Sequence, residues 1–96
     1  MSYYFVAQIK VNNEEEYQKY LKNCNEVFCK YKGKYLAVDD SPMVLEGSWQ
    51  YSKVVIIEFP DKNTFSQWYE SPEYQVILEY RLKAAKCDTV FVKGID

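Results

Sequence analysis

The stretch KVVIIEFP, residues 53–60, is the longest β-branched run in the chain and predicts a strand closed by a proline. Successive side chains of a strand point to opposite faces of its sheet. Every second residue from Val55 to Phe59 therefore shares one face, and every second residue from Val54 to Glu58 shares the other. Because both sets are mainly apolar, both faces of this strand need a covering layer.

Composition describes a small folded chain without histidine. With 96 residues we expect one domain spanning 1–96, and the hydrophobic fraction of 48% is normal for a folded domain. The lack of histidine excludes a histidine-centred catalytic triad, an imidazole zinc site and a histidine-ligated haem. Any acid–base chemistry then falls to Glu, Asp, Lys, Tyr or Cys.

Charge and targeting features give expectations about partners and location. A net charge of −2 provides no basic field for nucleic acid. The first residues have neither the basic lead nor the apolar core of a secretion signal, and no apolar run is long enough to cross a membrane. Three cysteines without a C-x-x-C pair suit a reducing compartment. We expect a cytoplasmic protein that binds neither nucleic acid nor membrane.

Alternating apolar side chains predict the strands. Besides 53–59, they indicate strands at 3–11, 35–38 and 87–93, and a further short extended piece at Met43–Glu46. Four long or well-bounded strands are enough for one small sheet.

The first helix is predicted over 13–32. Asn13 with Glu16 three residues later is typical of a capping box, and Gly33 is placed for a left-handed residue after the helix end. The spacing i, i+3, i+4, i+7 predicts one buried stripe. It consists of Tyr17, Tyr20, Leu21, Cys24, Val27, Phe28 and Tyr31.

The second helix is predicted from Asp61, its cap, to Lys86. Ser71 and Pro72 are typical of a cap and a first helical position, so the helix is expected to break at 70–71 and restart. The apolar stripe after the break consists of Tyr74, Ile77, Leu78 and Leu82, with Ala85 at its end.

The order β-α-β-β-α-β predicts a ferredoxin-like α+β fold. Right-handed crossovers place both helices on one face of a four-stranded antiparallel sheet, with strands 3–11 and 53–59 in the middle. The helices are assigned the wholly apolar face. The other face then carries Tyr4, Val6, Gln8, Lys10, Val54, Ile56, Glu58 and Phe91. Nothing in the chain remains to cover the apolar patch on that face, which predicts a homodimer packed sheet to sheet into an α/β barrel.

Five segments in a fixed order resemble one bacterial family. They are AQI at 7–9, GKYL at 33–36, VLEGSW at 44–49, VIIEFP at 55–60 and WYESPEY at 68–74. Together they resemble the family known as domain of unknown function 1330, over about residues 3–94. The resemblance implies a dimeric α/β-barrel fold without a settled activity. Wider relatives include cofactor-free monooxygenases, muconolactone-type isomerases, haem enzymes and ligand-sensing regulators. Lys53 and Lys34 stand where family members commonly carry arginine, so a bidentate guanidinium role is not expected there.

Glu58 is the single charged residue within 54–59 and the candidate catalytic residue. One interpretation is a carboxylate in a semi-enclosed cavity, with a raised pKa, acting as a base or ligand anchor. The alternative is an ion pair with Lys10, Lys53 or Arg81.

Aromatic residues supply most of the candidate ligand pocket, since related folds bind small molecules between helix and sheet. Simple core or interface packing is the alternative for each of them. Ser71 is interpreted as a helix cap whose neighbouring free amides suit a small anion. Arg81, the only arginine, is a candidate partner for Glu58, Glu46 or a ligand carboxylate. The candidate ligand-binding residues are Tyr35, Glu46, Trp49, Trp68, Tyr69, Ser71, Tyr74 and Arg81.

Three classes of function follow from these features. The first is a dimer that binds a small, aromatic molecule without chemistry. The second is a cofactor-independent enzyme of the monooxygenase or isomerase kind. The third is a structural or regulatory dimer whose interior is fully packed. The sequence carries no metal-ligand cluster, dinucleotide fingerprint or phosphate loop, so neither a metal nor another cofactor is expected.

Overall fold

Two β-α-β units form the fold. The computed structural model describes residues 2–28 and 30–95. The elements, in chain order, are β1 Tyr3–Val11, α1 Glu14–Phe28, β2 Lys34–Asp39, β3 Lys53–Phe59, α2 Lys62–Tyr69, α3 Pro72–Ala84 and β4 Ala85–Lys93. None of the helices in these ranges is long and apolar enough to cross a membrane.

The four strands form one antiparallel sheet in the order β2-β3-β1-β4. The two central strands are the ones that the sequence predicts, and the α+β ferredoxin-like fold is confirmed. The central pair is in register from Tyr3 opposite Phe59 to Ile9 opposite Lys53. Because these strands are buried most, their side chains build the floor of the molecule's interior.

The two faces of the sheet differ as alternation requires. Phe5, Ala7 and Ile9 lie buried on the helix side, together with Ile57 and Phe59. The opposite face, here called the open face, carries Tyr4, Val6, Gln8, Lys10, Val54, Ile56 and Glu58.

The assignment of Phe91 to the open face is wrong. The register pairs Phe91 with Phe5, which puts both rings on the helix side. There Phe91 stacks on Phe65 of α2 with ring centroids 4.0 Å apart. Val90 and Val92 take the open-face positions of β4 instead.

The prediction of an extended piece at Met43–Glu46 also needs correction, because these residues add no strand to the described sheet. β3 already pairs with β1 on one edge and β2 on the other, so no free edge beside it is left for another strand. Met43 and Leu45 are each 84% exposed as a result.

Gly33 has a different role from the predicted one. α1 ends at Phe28 rather than Lys32, and among the described residues only Gly47 has a positive φ. A Cβ added at Gly33 would stand 2.5 Å from Phe28 Cζ and 2.8 Å from Phe59 Cε1. The glycine is therefore required by the close approach of two core rings.

The predicted N-terminal caps are confirmed by hydrogen bonds, but the Asn13 amide donates to the Ala84 carbonyl at 2.9 Å rather than to Glu16, so the capping box is only half formed. Asn13 Oδ1 accepts from the amide of Glu16 at 3.1 Å, and Asp61 Oδ1 accepts from that of Thr64 at 2.7 Å. At the break between α2 and α3, Ser71 Oγ accepts from the Tyr74 amide at 3.1 Å and donates to the Trp68 carbonyl at 2.8 Å. Both serine hydrogen-bonding roles are thus structural.

The stripe of α3 contains an arginine that the prediction did not include. Tyr74, Ile77, Leu78 and Arg81 are buried, at spacing i, i+3, i+4, i+7. Leu82, predicted for this stripe, is 63% exposed. The next predicted stripe member, Ala85, lies buried at the start of β4 rather than in the helix.

Candidate functional site

A cavity of about 300 Å³ lies between the helices and the sheet. The sheet contributes an apolar floor of Phe5, Ala7, Ile9, Val55 and Ile57, with Val38 at one side. The rest of the lining consists of Leu21 and of side chains that carry a polar atom. These are Tyr17, Tyr20, Cys24, Tyr35, Lys53, Trp68 and Arg81.

Tyrosine hydroxyls form a buried network beside the cavity. Tyr20 Oη of α1 and Tyr74 Oη of α3 are 2.8 Å apart, which joins the two helices. Burial raises the pKa of Tyr20 well above its ordinary value and that of Tyr74 to about 12. Burial likewise raises the pKa of Tyr17 and of Tyr35. These hydroxyls are neutral at physiological pH and act as hydrogen-bonding groups.

Cys24 adds a thiol to the same wall. It is buried on α1, within hydrogen-bonding reach of Tyr20 and Tyr35. Burial raises the pKa of the thiol, although both hydroxyls act against that shift. A thiol with a raised pKa is mostly protonated at neutral pH and is then a poor nucleophile. We therefore interpret Cys24 as a packing residue of the cavity wall.

Arg81 is the most unusual group in the cavity wall. Its side chain is only 4% exposed, and its guanidinium carbon lies 5.7 Å from the centre of the Tyr20 ring. Its Nε is buried and has no hydrogen-bond acceptor among the described residues. Within the same ranges, no carboxylate comes within the 4.0 Å of an ion pair.

Lys53 is a second cation at the cavity. It is 8% exposed, and its Nζ lies 5.0 Å from the centre of the Tyr17 ring and 3.6 Å from Asp40 Oδ1. Tyr17, Leu21 and Lys53 also line an adjoining, more polar cleft of about 500 Å³. Lys53 therefore lies where the cavity and the cleft meet.

Trp68 brings an indole to the inner end of the cavity. It is 1% exposed, and its ring packs on Tyr74 with centroids 4.3 Å apart. Its Nε1 is buried and finds no acceptor in the described part of the chain. A buried donor without a partner is rare, because its desolvation is not compensated.

Three of the predicted ligand-binding residues, Tyr35, Trp68 and Arg81, meet at the cavity. Tyr74 stands behind them and supports Tyr20 through the hydroxyl contact. Tyr69 lies against Trp68 and Tyr74 by its ring.

The other predicted residues lie elsewhere. Glu46 and Trp49 line a separate surface cleft of about 340 Å³ in the β2–β3 connection. Trp49 packs edge-on against Tyr51, with ring centroids 5.2 Å apart. Ser71 is engaged as the cap of α3.

Glu58 lies on the open face and does not line the cavity. Its neighbours across the sheet are Tyr4 and Lys34. Two of its predicted ion-pair partners, Lys53 and Arg81, line the cavity on the helix side instead. The sheet therefore separates Glu58 from both cations, and its catalytic role stays a prediction about the open face.

Four polar cavity residues were not in the predicted set, namely Tyr17, Tyr20, Cys24 and Lys53. Each lay in a mainly apolar pattern, on the stripe of the first helix or on the buried face of β3. The three helix residues were assigned to the buried stripe, and Lys53 was considered only as an ion-pair partner of Glu58. The sequence feature that could have identified them is a polar atom on a side chain at a position where the pattern calls for an apolar one. A lysine on the same strand face as Val55, and a helix stripe that contains several tyrosines, both indicate a cavity wall with polar groups rather than a purely apolar core.

Among the residues that the structure describes, no three His, Cys, Asp or Glu side chains lie close enough together to hold a metal ion. The cavity's donors are hydroxyl, indole, ammonium and guanidinium groups, which suit an organic ligand rather than a cation.

Comparison with known proteins places the chain in context. Residues 2–95 match the model of the family described as domain of unknown function (DUF1330). A protein of unknown function from Rhodopseudomonas palustris is 18% identical with a TM-score of 0.83, over 99% of this chain and 83% of that one. No curated protein matches the sequence.

Two further solved structures share the fold. The cofactor-independent oxygenase SnoaB from Streptomyces nogalater is 14% identical with a TM-score of 0.71, over 99% of this chain and 94% of the oxygenase. A dimeric ferredoxin-like protein of unknown function from Thermobifida fusca is 13% identical with a TM-score of 0.69, over 98% and 92%. At these identities the likeness establishes the fold alone.

Proposed function

This chain belongs to the DUF1330 family, and we propose that it binds a small aromatic molecule in the cavity between its helices and its sheet. The observation that carries the proposal is a mainly apolar cavity of about 300 Å³ whose lining includes Trp68 and Arg81, two buried residues that each carry a donor without a hydrogen-bond partner. Ligand pockets have this character, with apolar walls and a few placed polar groups, and they begin at about 300 Å³. The volume suits a molecule of one or two rings.

The walls favour an aromatic ligand in particular. Tyr17, Tyr20, Tyr35 and Trp68 present ring faces or edges to the same space. Aromatic pairs in offset or edge-on geometry contribute about 0.5–1.5 kcal/mol beyond the burial of their area. Trp68 Nε1 also lacks a hydrogen-bond partner, and a small shift of the indole would let it donate to a carbonyl or hydroxyl oxygen of the ligand.

A fluorescence titration tests the proposal directly, because the chain has two tryptophans. In Trp49→Phe the remaining indole is Trp68, whose emission should change when one- or two-ring phenols, quinones and aromatic acids are added. Ala7→Leu places a larger side chain on the cavity floor and should abolish the response. Val76→Leu, on an exposed surface of α3, is the matched control and should leave it unchanged. No response to any member of the panel would contradict the proposal.

The second candidate function is a cofactor-independent oxygenase acting on such a ligand. Its support is the unpartnered Trp68 indole beside the Tyr20–Tyr74 hydroxyl pair, a hydrogen-bonding site enclosed by apolar walls. Oxygen uptake with dihydroxyaromatic substrates, lost in Trp68→Phe, would favour it. Unchanged turnover in Glu58→Gln would remove Glu58 as the base.

The third candidate, a dimer with a fully packed interior, is not favoured, because its packed core would have to occupy the space that forms the cavity.

The proposal includes a homodimer formed through the open face. Val6, Val54 and Ile56 are only half-buried there, and Val90 is 57% exposed. Apolar side chains gathered on one sheet face are typical of an interface. The ferredoxin-like protein from Thermobifida fusca is described as dimeric. The free thiols of Cys24 and Cys87 suit a reducing compartment, and a cytoplasmic location is part of the same proposal.

A further inference from the structure

The cavity wall contains a buried positive charge without a counterion. Arg81 is 4% exposed, its Nε lacks an acceptor, and no carboxylate of the described residues lies within 4.0 Å of it. A guanidinium does not lose its proton in proteins, so the charge cannot be removed by titration. Burying a charge without a partner is strongly destabilising, which makes such a residue an indication of a missing partner.

Neighbouring titratable groups do not supply that partner. The groups that act electrostatically on Arg81 are Tyr74, Tyr20, Cys87 and Tyr69. Burial raises the pKa of Tyr20 and of Tyr74, and it also raises that of the Cys87 thiol. These three groups are therefore neutral at physiological pH and cannot serve as a tyrosinate or thiolate counterion.

Lys53 adds a second positive charge to the cavity lining. Lys53 also lines the cavity, and its one ion-pair contact is Asp40 at 3.6 Å, whose side chain is 83% exposed. Because Asp40 is largely in water, its charge is screened and neutralises the buried Lys53 only weakly. The residues that line the cavity, all within the described chain, include two cationic side chains and no carboxylate.

We infer that the natural ligand is an aromatic carboxylate, whose anionic group is bound by Arg81 while its ring lies against Trp68 and the tyrosines. This inference rests on the proposed function and adds the charge of the ligand to it. A planar guanidinium matches a carboxylate through two parallel hydrogen bonds. One carboxylate also neutralises the one buried guanidinium, while Lys53 at the boundary of the cleft attracts the anion on entry.

A matched pair of ligands tests the charge without changing the protein. At pH 7, 2-naphthoate and 2-naphthamide have nearly the same shape and differ in charge. Hydrogen bonds to charged groups are stronger than neutral ones, so we expect calorimetry to show the acid binding at least about tenfold more tightly than the amide. Equal binding, or tighter binding of the amide, would overturn the inference and leave the proposed function standing. Failure of both ligands, and of the neutral aromatic panel, would overturn both.

Variants of Arg81 test the residue itself. Arg81→Met keeps an extended apolar chain, and we expect it to raise the melting temperature of the unliganded protein because the unpaired charge is gone. The same variant should reduce the acid-to-amide preference to about one. Lys83→Met, an exposed change in the last turn of the same helix, should leave both quantities unchanged. An unaltered acid-to-amide preference in Arg81→Met would overturn the assignment. If that variant does not fold, Arg81→Lys replaces it and should retain only part of the preference.

Discussion

At the residue scale, the buried hydroxyl pair of Tyr20 and Tyr74 joins the wall of the cavity to the helix behind it. The two oxygens are 2.8 Å apart, and neither ring is exposed to an appreciable degree. The contact holds Tyr20 in place beneath the guanidinium of Arg81. A polar contact therefore positions one side of an otherwise apolar site.

Removing one hydroxyl of this pair should destabilise the protein. We expect Tyr20→Phe or Tyr74→Phe to lower the free energy of unfolding by about 1–3 kcal/mol, because the remaining hydroxyl is left buried without its partner. The double variant should cost less than the sum of the two. Urea denaturation measures all three, with Tyr80→Phe, a half-buried change on the same helix, as the control. Strict additivity would contradict the coupling.

The raised tyrosine pKa values predict a loss of stability in alkali. The ordinary pKa of tyrosine is 10.0, and burial raises that of Tyr74 to about 12 in the folded protein. The folded state keeps a proton that the unfolded state releases, so the stabilisation is complete below pH 10 and is lost as pH rises toward 12. Burial shifts the pKa of Tyr20 in the same direction.

Urea denaturation between pH 8 and pH 11.5 checks this expectation. The free energy of unfolding should fall steadily above pH 10, and the slope should be smaller in Tyr74→Phe. A stability that is flat across this range would show that these hydroxyls titrate normally.

At the element scale, single residues determine how helices and strands pack at the points where two elements come closest. Gly33 lies just before β2, at the point where Phe28 of α1 and Phe59 of β3 leave no room for a Cβ. Ser71 joins α2 to α3, since its hydroxyl donates to the Trp68 carbonyl of α2 and accepts from the Tyr74 amide of α3.

A methyl group at Gly33 should therefore disturb the core. We expect Gly33→Ala to lower the free energy of unfolding by about 1–3 kcal/mol, the usual cost of overpacking. Phe28→Leu in the same chain should reduce that cost, since it removes the ring atom 2.5 Å from the added Cβ. Thermal unfolding of the single and double variants gives the comparison. A neutral Gly33→Ala would show that the rings move aside freely.

At the scale of the whole molecule, the sheet has one face covered by helices and one face without a cover from the chain. The open face groups Val6, Val54 and Ile56 with Val90 and Val92. A water-facing antiparallel sheet is usually polar on its outer face. The apolar side chains of this face would be covered if a second copy of the chain packed against it.

A charge at the centre of the open face should separate the copies. We expect the protein to sediment as a dimer at micromolar concentration and Ile56→Lys to sediment as a folded monomer, because a lysine cannot be buried unpaired between two sheets. Val76→Lys, on an exposed part of α3, is the matched control and should stay dimeric. A wild-type monomer under these conditions would contradict the proposed dimer.

The amino-acid sequence by itself determined the four strands, the two helical segments with their N-terminal caps, the break at Ser71 and the central position of the strand at 53–59. These features depend on local periodicity and capping chemistry, which act over a few residues. The same periodicity put Val54 and Ile56 on the face opposite the helices, since alternation in a strand is geometrically strict.

Tertiary structure alone decided the side of Phe91, the role of Gly33 and which of the candidate residues meet at the site. The pairing of β4 with β1 sets which face Phe91 occupies, and it joins Phe91 to Phe5, far away in the sequence. The sequence named Arg81 as a candidate, but it gave no sign that Arg81 and Lys53 are buried, because burying a charge is costly and therefore unexpected. Only the packing of α1, α3 and the sheet around one space brought the two cations to a common cavity and left Glu58 on the other side.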